Sequence, residues 1–203
     1  MSNRVCETLG IKYPVIQGAM AWTSLAPLVA AVSKAGGLGV LGSGFMPKEV
    51  ILEQAAAVRS MTDKPFAANL FLDPGPQLDG AVEAIIDGNI PVVYVDSLNL
   101  LDYRMAKTYY DKFHAAGRKV IAKINYLEDA LAAEKAGADV IIAKGMEGGG
   151  QIGRSDRGGK VSTCGSLRRH CDPATSSSLH GSRRRGRGNG RCLYGHGGMY
   201  CSP

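Results

Sequence analysis

Six places along this 203-residue chain carry residue types whose spacing suits chemistry. Gly18-Ala19-Met20-Ala21-Trp22 follows a short apolar run and puts small residues where a flat ligand can approach the backbone. Gly42-Ser43-Gly44 follows the next run and reads equally well as a plain turn. Asn69 is the only amide in the apolar stretch Phe66–Phe71. A buried amide needs partners, which favours a functional role over a structural one. Asp96-Ser97 reads as a helix cap, and Lys123, with Asn125 beyond it, either reaches a rim or serves a site. Lys144-Gly145-Met146-Glu147-Gly148-Gly149-Gly150-Gln151 comes straight after a buried run. Its triple glycine is either a flexible loop or a set of backbone amides turned toward an anion, and its position favours the amides.

These residues need a frame to hold them, and the chain supplies one between Tyr13 and Lys144. The runs Pro14–Gln17, Gly39–Leu41, Phe66–Phe71, Pro91–Val95, Lys119–Ile124 and Ala138–Ala143 are near-continuously apolar. That marks strands buried on both faces, as in a parallel sheet. Amphipathic segments lie between them. Ser24 is placed to cap a helix through Ala35, and Pro47 suits the first position of the next. Leu78–Asp87, Leu98–Ala116 and Leu127–Ala136 follow, ending at Gly88, Gly117 and Gly137. Glycine just past a helix is what a tight return to a strand requires. The repeating strand–helix unit fits a doubly wound sheet or a (β/α)8 barrel. A doubly wound dinucleotide fold wants G-x-G-x-x-G after its first strand, and Gly18-Ala19-Met20-Ala21-Trp22 is not that, so the barrel is favoured. The expected fold is α/β: a (β/α)8 TIM barrel, incomplete, with about six units recognisable.

Charge divides the chain. Residues 1–153 hold 14 Lys and Arg against 16 Asp and Glu, a net of −2, whereas residues 154–203 hold 10 against 2, a net of +8. The overall +6 therefore describes the tail alone, and a nucleic-acid role for the body is not favoured. Cys6 is the only cysteine of the body, as suits a reducing cytosol. No apolar run approaches a membrane span and the start lacks a signal-peptide pattern, so the expected location is the cytoplasm.

The runs YPVIQGAMAW, AVSKAGGLGVLGSG, MTDKPFAANLFL and EKAGADVIIAKGMEGGGQIG, in this order and spacing, resemble the nitronate monooxygenase family. They look equally like the FMN-dependent enoyl-acyl-carrier-protein reductases that share its barrel. The resemblance covers Met1 to about Gly153. It implies a flavoprotein oxidoreductase with FMN as cofactor and a small molecule as substrate. That substrate is an alkyl nitronate for a monooxygenase or, with NAD(P)H as reductant, an enoyl thioester. It further implies that Gly18, Ala19 and Met20 lie against the isoalloxazine ring, that Asn69 hydrogen-bonds the flavin, and that Lys144 and Gly149 contact it. A homodimer is left open.

Two positions depart from the family. Lys144 stands where Gln or Glu is expected, and a cation at the N1/C2 edge would stabilise anionic reduced flavin. Gln151, the implied catalytic position, stands where the family carries His. An amide has no titratable proton near neutral pH and cannot act as a general base. It can still hydrogen-bond a nitro group or a thioester carbonyl, and an already ionised nitronate needs no base.

Residues 154–203 show no apolar periodicity and read as a disordered basic tail. The family's last strands and phosphate-binding loops are expected there and are not recognisable. Back-translation of Cys171–Gly197, shifted by one nucleotide, permits VIPLLAAASMGVADGAGVMAAAYMGMG, which resembles a strand, an Asp-Gly turn, an Ala-rich helix and the start of a strand in family order. A frameshift between Gly153 and Cys171 accounts for it. The competing readings are an Arg-Gly arm at Gly181–Arg191 that binds RNA, and zinc at the tail's Cys and His, whose spacings lack a C-x2-4-C knuckle. The non-enzymatic alternative is a truncated or frameshifted product that binds flavin weakly.

Overall fold

The computed structural model describes residues 3–97, 99–144, 171–172, 190–195 and 198–202. A short helix α1 (Arg4–Leu9) leads into α2 (Ala26–Lys34), β1 (Gly39–Leu41), α3 (Lys48–Met61), β2 (Phe66–Phe71), α4 (Leu78–Asp87), β3 (Val92–Asp96), α5 (Tyr103–Ala115), β4 (Lys119–Ile124), α6 (Leu127–Ala136) and β5 (Val140–Ala143). The five strands lie side by side in chain order, each parallel to the one before. Among the described residues no helix is long and apolar enough to cross a membrane.

The arrangement separates the two architectures. A doubly wound sheet reverses its order midway and takes helices on both faces. Here the order of β1–β5 never reverses. Helices α2–α6 all pack on one face, where Val29, Ile51, Ile85, Tyr110 and Ala133 join Leu41, Leu70, Val93, Val95 and Ala122 in one apolar cluster. The opposite face holds Val40, Ala67, Val92, Tyr94, Ile121, Val140 and Ile142 in a second cluster, closed by Val5 and Leu9 of α1. Alternate residues of each strand thus serve alternate faces. Helices outside and a side-chain core inside make the wall of a barrel.

Helix α4 shows why the pattern was readable: Leu78, Ala81, Val82 and Ile85 fall on one stripe and are buried. Helix α6 ends where Gly137 adopts φ +102°, and its N–H reaches the Ala133 carbonyl at 3.1 Å. Other boundaries move. Helix α5 begins at Tyr103 rather than Leu98, because the Asp102 carboxylate accepts from the Met105 N–H at 2.8 Å and caps it there. Helix α2 begins at Ala26, not after a Ser24 cap, because the Ser24 hydroxyl accepts from the Met20 N–H at 3.1 Å and from the Gln17 amide at 2.8 Å. Pro47 is the capping residue before α3 rather than its first turn. Two expected strands start late: β3 runs Val92–Asp96 and β5 Val140–Ala143.

The expected first strand, Pro14–Gln17, is corrected. Only Ile16 pairs, in a single parallel bridge to Leu38. Beyond it the Gln17 side chain takes over: its Oε1 accepts from the Val40 N–H at 3.1 Å and its Nε2 donates to the Val40 carbonyl at 3.3 Å. One amide side chain thereby stands in for the next rung of the ladder and lets the main chain turn away.

Short stretches of the tail are described. Strands β6 (Cys171–Asp172), β7 (Gly190–Gly195) and β8 (Gly198–Ser202) extend the sheet, with β8 antiparallel to both β5 and β7. Cys-Leu-Tyr and Met-Tyr-Cys, close together in the sequence and each flanked by glycine, are a strand signal that charge had masked. β8 covers the β5 edge, which would otherwise present unpaired backbone groups.

Candidate active site at the carboxyl ends of the strands

Alternation by twos carries a consequence for the site. Counting upward from the inner-face residues Ala67, Tyr94, Ile121 and Ile142, the next inward positions are Asn69, Asp96, Lys123 and Lys144. Four strands therefore deliver four polar side chains to one mouth, above an apolar floor. Asn69, Asp96 and Lys144 are 5%, 9% and 7% exposed. Lys144 stays in register one residue past β5, because its N–H donates to the Ile124 carbonyl at 2.9 Å.

Asp96 and Lys123 form a short ion pair, their side chains 12% and 18% exposed. Asp96 is thus not the cap of the following helix: it ends β3, turns inward, and takes the Ser97 N–H at 3.0 Å on its Oδ1. Burial pushes the Asp96 carboxyl up, against the pull of the Lys123 ammonium, the Ser97 N–H and the Lys144 charge. Burial pulls the Lys144 ammonium down, and repulsion from Lys123 adds to this, while Asp96 works the other way. Asp96, Lys123 and Lys144 place one carboxylate between two ammoniums at this mouth.

Gln17 and Gly42 hold the loop of residues 18–22. Gln17 brackets it through Val40, Ser24 and the Gly18 carbonyl. Gly42 packs on it so closely that a Cβ there would lie 2.2 Å from the Met20 carbonyl oxygen. At Gly44 a Cβ would meet the Phe71 ring at 2.4 Å and Asn69 Oδ1 at 2.7 Å. The Ser43 hydroxyl between them donates to the Asn69 carbonyl at 2.7 Å. Gly42-Ser43-Gly44 is therefore a close-packed junction and not a plain turn. Gly18 differs, since nothing lies within 4 Å of the position its Cβ would take. Ala19 packs against the inner cluster, Met20 is 43% exposed, and Trp22 adopts φ +59°, a strained value of the kind that gathers at ligand sites. Phe45 is exposed and stacks on Phe71 with centroids 4.7 Å apart.

Among the expected site residues, Gly18, Ala19 and Met20 fall on this loop, and Asn69 and Lys144 at the mouth. Gly149 and Gln151 lie outside the described residues. The Asn69 Nδ2 donates to the Tyr94 carbonyl at 3.2 Å, which uses one of its two N–H groups. Sequence reasoning singled out Asp96 and Lys123 separately and missed that they pair. It missed Gln17 altogether, although a lone polar residue closing PVIQ was the available signal. A small cavity at the same end is lined by Asp96, Lys123, Asn99, Asn125, Asp129 and Tyr110. The Tyr110 hydroxyl is buried with no hydrogen-bond partner among the described residues.

An isoalloxazine ring needs a slot floored by backbone, an apolar face, and polar groups along one edge. The open space at Gly18, the exposed Met20 and the polar pair Asn69 and Lys144 meet those needs, so the residues present fit the ring.

Comparison with known proteins agrees. The nitronate monooxygenase family model matches residues 2–168. A probable nitronate monooxygenase of Staphylococcus saprophyticus is 30% identical over 182 residues, covering 75% of this chain and 51% of the relative. A (3aS,4S,5R,7aS)-5-hydroxy-7a-methyl-1-oxo-octahydro-1H-indene-4-carboxyl-CoA dehydrogenase of Mycobacterium tuberculosis is 35% identical over 147 residues, covering 72% of this chain and 39% of the relative. Among solved structures, FabK from Thermotoga maritima superposes with a TM-score of 0.69 at 38% identity, over 76% of this chain and 47% of that one. Nitroalkane oxidase from Streptomyces ansochromogenes gives 0.64 at 26% identity, over 74% and 51%. The chain spans about half the length of the curated relatives it matches. From a barrel wall in chain order, and a family model that matches all of it, we conclude that this chain belongs to the nitronate monooxygenase family.

Proposed function

We propose that this protein is an FMN-dependent oxidoreductase that oxidises alkyl nitronates in the cytoplasm. The observation that carries the reading is the junction of an open glycine loop at Gly18 with the buried polar cluster of Asn69, Asp96, Lys123 and Lys144 at the strand carboxyl ends. Gly18, Ala19 and Met20 would hold the flavin ring, Asn69 and Lys144 its polar edge, with Gly149 beside it. Bound FMN would supply two-electron redox chemistry to a substrate stacked on the ring. The chain's own part is to bind and orient. Lys144 places positive charge where reduced flavin gathers negative charge, and Gln151 orients the substrate by hydrogen bonding without taking a proton. A nitronate arrives already ionised, so a site without a base at position 151 still handles it. We further propose that the barrel sequence runs to about residue 153 and that residues 154–203 are a basic, frameshifted tail.

The relative whose name carries a carboxyl-CoA substrate supports a second reading, NAD(P)H-driven reduction of an enoyl thioester. The test is to load the 203-residue chain and a frame-corrected version with FMN, then assay aerobic propyl nitronate beside anaerobic NADH with an enoyl thioester. The expected result is a yellow frame-corrected protein that turns over nitronate, and a weakly coloured 203-residue chain. Thioester turnover without nitronate turnover selects the second reading. A colourless protein in both versions rules out both.

A further inference from the structure

We propose that the paired rings of Phe45 and Phe71 form an apolar wall that binds the hydrocarbon part of the substrate and selects a chain of several carbons over a short one. The proposal deepens the nitronate reading above and rests on it for the reacting head group.

Placement comes first. Along β2, Phe66, Ala68 and Leu70 join the helix-side cluster, and Ala67 joins the inner one. By the same alternation Asn69 and then Phe71 face inward, so Phe71 stands above Asn69 at the mouth, paired in register with Asp96. The Phe45 ring leans on it, tilted by 35° with 4.7 Å between centroids, within the range where aromatic pairs attract. Phe71 is half-buried, and Phe45 is left 48% exposed.

A lone exposed ring on a protein surface is ordinary. This one is fixed in place. The Ser43 hydroxyl donates to the Asn69 carbonyl at 2.7 Å, and the Met46 N–H closes the turn on the Ser43 carbonyl at 2.9 Å. Met46 is buried and anchors the far side of the turn. Gly44 lies so near the Phe71 ring that a Cβ does not fit between them. A ring already held in position has little rotamer freedom left to lose when a ligand covers it.

The wall is also continuous with the site. Gly42, at the start of the same turn, packs on the Met20 carbonyl, so the turn and the loop of residues 18–22 are joined, with Met20 and Phe45 both exposed at the carboxyl ends of the strands. A substrate whose head lies over the flavin therefore meets the ring pair with its carbon substituent.

The chain holds a single tryptophan, Trp22, two residues beyond Met20, and its fluorescence reports binding. Propyl and hexyl nitronate are titrated anaerobically into the full 203-residue chain, with and without FMN. A fully buried methylene is worth about fourfold in affinity and one lying on an open wall about twofold, so hexyl nitronate is expected to bind about eightfold tighter or more. Phe45→Ala is expected to bring that ratio below about threefold, with propyl nitronate affinity within about threefold of the parent. Phe45→Gln, which keeps bulk in the turn and removes the ring, is expected to do the same. Leu131→Ala, at a position equally exposed but on α6, is expected to leave the ratio unchanged. A parent ratio near one overturns the proposal, as does an unchanged ratio in both Phe45 variants or an equal fall in Leu131→Ala. Sedimentation covers the other occupant: a dimer lost in Phe45→Ala, with the two nitronates bound alike by the parent, makes the rings an interface between copies and overturns the proposal. FMN uptake is measured separately on the same proteins. If uptake fails while the chain-length ratio and its loss in the Phe45 variants hold, the flavin reading falls and the wall stands.

Discussion

Replacing Gln17 by Met tests whether a single side-chain amide substitutes for a rung of the sheet. Val40 is fully buried, and its N–H and carbonyl are both satisfied by Gln17, at 3.1 and 3.3 Å. Methionine keeps the length and apolar volume of the side chain and removes the amide. Each buried backbone group left unpaired costs roughly 1–3 kcal/mol. Gln17 is only half-buried, so water reaches part of the gap and the lower end of that range applies to each. The expected loss is about 2–3 kcal/mol, or about 4–12 °C in Tm for a domain of this size. Urea unfolding measures it, with an unchanged m-value showing that the denatured state is not the cause. Hydrogen exchange gives the local reading. The Val40 amide should lose about 30- to 150-fold in protection, since every 1.4 kcal/mol is tenfold, while the Ala68 amide, at the centre of β2, keeps its protection. Gln17→Glu adds a sign. The carboxylate accepts from the Val40 N–H but repels the Val40 and Gly18 carbonyls, and protonation restores a donor. Its stability relative to the parent should therefore recover as pH falls through the usual Glu range near 4.3. Unfolding free energy of Gln17→Met within about 0.5 kcal/mol of the parent, with Val40 protection intact, would refute the reasoning; differences that small are common at sites without such a contact.

Three further outcomes follow from the same site. Gly42→Ala drives a Cβ to 2.2 Å from the Met20 carbonyl oxygen, whereas Gly18→Ala enters open space, so thermal melts should show a loss of about 1–3 kcal/mol for the first and almost none for the second; FMN titration should be weakened by both, and a harmless Gly42→Ala contradicts the packing. Tyr110→Phe removes a buried hydroxyl that has no partner among the described residues and should leave urea stability unchanged or raise it by about 1 kcal/mol, so a clear loss would mean the hydroxyl is satisfied. Lys144→Met should raise stability at neutral pH, because a folded-state pKa below 10.5 makes protonation unfavourable to folding. That gain is full below the lowered folded pKa and fades as pH climbs from it to the unfolded value near 10.5. A gain that grows with pH across that window would reverse the sign.

Much of the fold was legible in the sequence because its signals are local. Phe66–Phe71, Leu78–Asp87, Lys119–Ile124 and Leu127–Ala136 appear in the structure with the boundaries their periodicity gave. Continuous apolar runs and glycine-stopped helices need no knowledge of what they pack against. Two of the displaced boundaries also involve a contact from another segment: the Gln17 amide takes the Ser24 hydroxyl, and the Asp129 carboxylate takes the Leu101 N–H at 3.0 Å.

The site divides along the same line. The sequence alone marked Gly18, Asn69 and Lys144 as candidate site positions and favoured the barrel over a doubly wound sheet. Only the folded chain showed that Asp96 and Lys123, 27 residues apart, neutralise one another at one mouth, and that Gln17 completes a strand it does not belong to. A pattern within one segment is written by the period of its own backbone. A pairing between segments depends on register and on burial, which set both the distance between two charges and what it costs to leave them in water or take them out of it.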